Sequence, residues 1–352
     1  MDPSGQPIGG PVPGEQPRAG QPQYDSSQQA TLVPMPDGWA AGVSPVVISR
    51  SSHRGRWAIA GAVVLIVALL TAGGAFVLSG AGGQKSLTAS AAPKNTYAFL
   101  EARVDLPGDQ HARLADFMSH FPGFADRTQF NTALDEMLNR LTSSVSPDLN
   151  YTTAFKPWMQ GEVSLALVDE GRQASAGVVA IFAVKDRAGA ESWAASTIAR
   201  RSLTLTTSDY AGTKLYSTGS GMSDEAYAVT DQDLFIGTTP GVKNALDSKT
   251  NGSLADNANY QAAMKSVAGD GIARMFLDTQ HLTAMGTSSN MMPGIGMAVS
   301  SALSTKDVPA WIAGSIRAES DRAVVTITMP RTAASNLGIG NHSSTLASLL
   351  PG

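Results

Sequence analysis

The sequence predicts an α+β fold: an extracytoplasmic domain of largely antiparallel sheet with packed helices, preceded by a disordered tail and one transmembrane helix. Three observations predict it. Nine of the 19 prolines fall in residues 1–45, every position from Trp57 to Gln84 is uncharged, and the rest of the chain mixes hairpin-like strand pairs with helical segments. The mean hydropathy of −0.04 is therefore an average of two opposite extremes.

Residues 1–56 read as a disordered cytoplasmic tail. Runs such as Gly5-Gln6-Pro7-Ile8-Gly9-Gly10-Pro11 carry too little apolar surface to offset backbone ordering. Trp57–Leu78 is 22 uncharged residues, ~33 Å long as a helix, which matches a bilayer's hydrocarbon core. This assigns a transmembrane helix to residues 57–79. Arg50, Arg54 and Arg56 precede the run and Lys85 alone follows closely, so the N terminus is expected inside and the remainder outside, across a plasma membrane. A cleaved signal peptide fits less well, because the apolar run is long and begins after 56 residues. Residues 80–94, rich in Ser and Ala, read as a stalk that spaces the domain from the membrane.

The domain is expected over residues 95–330, with a C-terminal tail at 331–352. Tyr97–Val104 has strand composition and runs into the turn Asp105-Leu106-Pro107-Gly108. Helices follow over about 109–120 and 128–141, the second defined by Phe130, Leu134, Met137, Leu138 and Leu141 at helical spacing. Val163–Val168 and Gly177–Val184 form a hairpin, and Asp186 caps the helix bearing Trp193. Short strands come next at 214–217, 226–230 and 234–237. Thr239-Pro240 opens a helix that Asn251-Gly252 ends. Ile272–Leu277 is a strand leading through Asp278 into a helix, and 311–319 pairs with 322–329 in a last hairpin. Met285–Met297 reads equally as loop or irregular helix. The two strand-Asp-helix units, at Asp105 and Asp278, hint at a duplication.

The absence of cysteine excludes disulfides, thiolate metal sites, a Cys nucleophile and a lipidated Cys anchor. Residues 85–352 hold 21 basic and 25 acidic side chains without long like-charge blocks, so no nucleic-acid partner is expected. Two local clusters would suit chemistry. Asp105, Asp109 and His111 offer two carboxylates and an imidazole to a divalent ion, and Asp278 with His281 offers an acid/base pair one turn apart. Each also has a bland reading as helix caps and exposed first-turn residues, and the bland one is preferred. Asp231-Gln232-Asp233 has two calcium-like positions but continues into Leu234-Phe235-Ile236, so it reads as a hairpin turn. Gly294-Ile295-Gly296 and Gly338-Ile339-Gly340 lack the last glycine of a dinucleotide loop. No catalytic residue, metal ligand or cofactor is assigned.

The ordered blocks Tyr97–Asp105, Lys156–Val163, Ala180–Asp186, Tyr227–Thr239 and Asn251–Asp256 with Tyr260 resemble the bacterial family catalogued as domain of unknown function 3352, over about residues 95–330. That resemblance implies the tail, span and outer-domain plan, and carries no activity or site residues. The expectation is a single-pass, membrane-integral protein of the cell envelope, non-enzymatic, whose outer domain binds an envelope protein or another ligand. The alternatives are an envelope hydrolase or metal-dependent enzyme, and a carrier of lipid or another apolar ligand.

Overall fold

The computed structural model describes residues 85–330 apart from 107–108, 122–123, 146, 148, 171–175, 201–203, 220–223, 268–270 and 285–308. The tail at 1–56, the span at 57–79, the Met285–Met297 stretch and the tail at 331–352 lie outside the described residues. Among the described residues, no helix is long and apolar enough to cross a membrane.

Ten strands make one sheet in the order β10-β9-β8-β1-β2-β3-β7-β6-β5-β4. They are β1 (Thr96–Arg103), β2 (Met159–Asp169), β3 (Ala176–Val184), β4 (Thr206–Tyr210), β5 (Thr213–Ser217), β6 (Glu225–Val229), β7 (Asp233–Thr238), β8 (Ala273–Asp278), β9 (Trp311–Ala318) and β10 (Ala323–Thr328). Every neighbouring pair is antiparallel. The helices are α1 (Gln110–Met118), α2 (Phe130–Val145), α3 (Arg187–Arg200), α4 (Thr239–Leu246), α5 (Ala258–Ser266) and α6 (Thr279–Ala284), with single turns at Tyr151–Ala154 and Ser248–Asn251. The α+β class with a dominant antiparallel sheet is as expected.

The central strands are buried on both faces, so they read as near-continuous apolar runs and not as strict alternation. One face packs Phe99, Ala166, Val168, Ile181, Phe235 and Phe276 against Leu254, Tyr260 and Ala263. The other packs Leu100, Leu165, Phe182 and Leu234 against Leu138, Phe155, Trp158 and Ala190. Two elements were not foreseen. β4 is polar and almost wholly exposed, an edge strand held only by β5 through the Ala211-Gly212 turn, where both residues have positive φ. α5 carries Tyr260 and Ala263 inward, a spacing too sparse to announce a helix. The cap before α4 is Thr238, whose hydroxyl accepts from Gly241 N, one residue earlier than expected.

The stalk reading requires correction. From Ser86 onward the segment belongs to the domain body: Ser86, Thr88, Ala89 and Ala92 are buried, Thr88–Ser90 forms a 3-10 turn, and Leu254 N donates to Ala92 O at 2.8 Å. Small residues looked like a spacer because small residues also permit close packing against a sheet. The duplication hint gains only partial form. β1 and β8 are antiparallel neighbours with Phe99 opposite Phe276, but Asp278 caps α6 through His281 N while Asp105 caps no helix.

Candidate functional site

Two places at one end of the sheet stand out, and they share Arg103. The first is a buried polar row. Alternation along β1 points Glu101 and Arg103 to the same face as Phe99, and cross-strand register then lines up Ser164, Glu101, Arg274, Ser315 and Thr326 across β2, β1, β8, β9 and β10. All five are buried, Glu101 to 1% exposure. Burying carboxylates and guanidinium groups is costly unless they are paired. The pairing is dense: Arg103 Nε lies 2.9 Å from Glu101 Oε1, and Arg103 Nη2 lies 3.2 Å from Glu162 Oε2. Glu162 Oε1 accepts from Ser86 Oγ at 3.0 Å, Thr88 N at 2.8 Å and Thr88 Oγ1 at 2.9 Å. Burial, and then the charge of Glu162, push the Glu101 carboxyl above its ordinary range, against the pull of Arg103 and Arg274. Glu101 Oε2, Ser164 Oγ and Ser315 Oγ have no hydrogen-bond partner among the described residues.

What this row does is mechanical. Glu162 fastens the first residues of the domain to the sheet, and Arg103 also donates to Lys85 O at 3.3 Å. The chain therefore enters the fold at the end of the sheet where β1 leaves it.

The second place is an apolar pocket at that same end, on the opposite face. Its lining is Val104, Leu106, Leu114, Phe117, Met118, Phe124, Leu134, Met137, Ile272, Ile316, Ala318 and Ala323, with Arg103 in its wall. It encloses about 60 Å³, and about 690 Å³ when the open mouth is counted. α1 and α2 roof it. Gln110 Oε1 pins α1 by accepting from Ala318 N at 2.9 Å, while Leu114, Phe117 and Met118 stay half-buried over the gap. Gly161 shapes the floor beside it: its carbonyl takes Val104 N and Asp105 N, at φ +89°.

The sequence-predicted candidates are separated. Asp109 pairs with Arg113 at 2.6 Å, which holds its carboxyl below the ordinary range, and makes no side-chain cap bond. His111 Nε2 meets Asn131 Oδ1 at 2.8 Å, and its ring stands edge-on to Phe130. Asp105 is exposed. No group of three or more His, Cys, Asp or Glu able to hold a metal occurs among the described residues. Asp278 caps α6, and His281 turns instead to β2, with Nε2 3.0 Å from Asp169 Oδ2 and its ring stacked on Tyr97. His281 Nε2 has no hydrogen-bond partner among the described residues. Asp231 pairs with Arg187, and Asp233 is buried at the start of β7, so the hairpin-turn reading holds.

Sequence reasoning placed Leu134 and Met137 on the apolar face of a helix but did not anticipate the pocket that they line. The polar row was missed entirely. Its signal was two charges, Glu101 and Arg103, at alternate positions inside an otherwise apolar strand.

No curated protein and no solved structure matches the chain. The family described as protein of unknown function DUF3352 matches residues 58–313, from within the apolar run to the third residue of β9. With more than two thirds of its length matched, the chain belongs to that family.

Proposed function

We propose that this is a non-enzymatic, single-pass, membrane-anchored protein of the cell envelope whose outer domain binds an apolar group in the pocket under α1 and α2. The apolar run Trp57–Leu78 supports the anchor. The observation that carries the binding reading is the pocket itself, a concave site with a dozen apolar walls and one charged neighbour already engaged by Glu101 and Glu162. A site whose only charge among the described residues is so neutralised selects against ions. The residues that the hydrolase reading would use stand apart: Asp109 pairs with Arg113, His111 meets Asn131, and Asp278 caps α6.

Filling such a space from water gives about 0.8 kcal/mol per buried methylene, so a four-carbon group would contribute about 3 kcal/mol before ordering costs. The test is titration of the purified full chain with N-phenyl-1-naphthylamine, an apolar dye whose emission rises on leaving water. Saturable enhancement is expected, reduced at least fivefold in Ala323→Phe, which places a ring in the pocket wall. Non-saturable enhancement, or equal binding by the filled variant, rejects the reading.

A further inference from the structure

We infer that the occupant of this pocket is the end of a single acyl chain from the bilayer in which the protein is anchored. The inference rests on the anchored-binding reading and adds the class and origin of the ligand. Position argues for it first. The apolar run ends at Leu78 and the domain begins at Lys85, so seven residue steps, at most roughly 25 Å of extended chain, separate them. Lys85 O is bonded to Arg103, and Arg103 is part of the pocket wall. Because Ser86 and Thr88 are fastened to Glu162, this short connection cannot lengthen by peeling the segment away from the sheet. The pocket thus stays at the membrane-facing end of the domain.

Size and chemistry argue next. The enclosed space is about 60 Å³, within about 690 Å³ counted out to the open mouth, well above the roughly 10–15 Å³ that one water occupies. That fits a chain end and not a whole lipid. Leu114, Phe117, Met118 and Phe124 are half-buried in the lining and give the following methylenes apolar surface to lie against. Lipid tails are as apolar as these side chains, so transfer from bilayer to pocket is nearly even in free energy and capture is reversible.

The experiment uses the full chain in phosphatidylcholine/phosphatidylglycerol vesicles containing phosphatidylcholine with a diazirine near the end of one acyl chain. After irradiation, adducts are mapped by mass spectrometry. Adducts on Leu114, Phe117, Met118, Met137 or Ile316 are expected, and they should fall at least fivefold in Ala323→Phe and in Met137→Trp. Circular dichroism of both variants checks folding, and the map of the unaltered chain does not depend on them. Adducts confined to residues 57–79, or pocket adducts unchanged in folded variants, overturn the inference while leaving saturable dye uptake, and so the binding reading, intact. A chain that does not sediment with vesicles overturns both the anchor and the acyl-chain source.

Discussion

Gly161 shows how one residue shapes the end of the sheet. At φ +89° its backbone is strained for any side chain, and an added Cβ would collide with Asp105 Cβ and approach Asp105 N to 2.9 Å. Gly161→Ala is expected to destabilise the fold by about 2 kcal/mol or more, measured as a lower urea midpoint at unchanged slope. Asp233 gives a different prediction. Burial raises its carboxyl to about 6, opposed by Lys249. Between the ordinary aspartate value near 4 and about 6, the folded state keeps a proton that the unfolded state releases. Stability must therefore fall as pH rises through that window, by on the order of 3 kcal/mol, and stay low above it. Asp233→Asn should remove this decline and raise the melting temperature at pH 8 while changing little at pH 4. A variant whose pH profile parallels that of the native chain would contradict this account.

At the scale of elements, the segment Ser86–Ala92 behaves as an added layer of the domain. Three donors converge on Glu162 Oε1, and hydrogen bonds to a buried charge contribute more than neutral ones. Glu162→Ala would leave those donors and the Arg103 guanidinium short of their acceptor, with an expected cost of about 3–5 kcal/mol. Hydrogen exchange at Thr88 N should quicken more than at Phe235 N in the central strand β7. Equal change at both sites would mean that the contact is only one part of a uniformly cooperative core. Most helices were legible because apolar residues recur at helical spacing, as in α2, or a capping residue announces the start, as Asp186 does for α3; α5 was not, its inward residues being too sparse. β4 was not, since its exposed polar side chains leave backbone pairing with β5 as the main reason it is a strand.

For the whole molecule, the predicted topology places the tail and the sheet on opposite sides of a membrane. The chain has no cysteine, so single substitutions report cleanly. A membrane-impermeant maleimide applied to intact cells should label Asp209→Cys, on exposed β4, and leave Ser27→Cys unlabelled until the membrane is opened. Labelling of both, or of Ser27→Cys alone, would refute the orientation. Composition and periodicity by themselves determined the apolar run, the antiparallel α+β class and most strand and helix positions, because those depend on local propensity and on which face of an element is apolar. The sequence also identified Leu134 and Met137 as one apolar face. Only the tertiary structure decided what that face meets, because Ile272, Ile316 and Ala323 lie more than 100 residues further along the chain and come alongside only through the pairing of β1 with β8, β8 with β9 and β9 with β10. The same holds for Glu101, Arg103, Glu162 and Arg274. Their charges cancel only when β2, β1 and β8 lie side by side, and no local pattern announces that a buried charge will find its partner across a sheet.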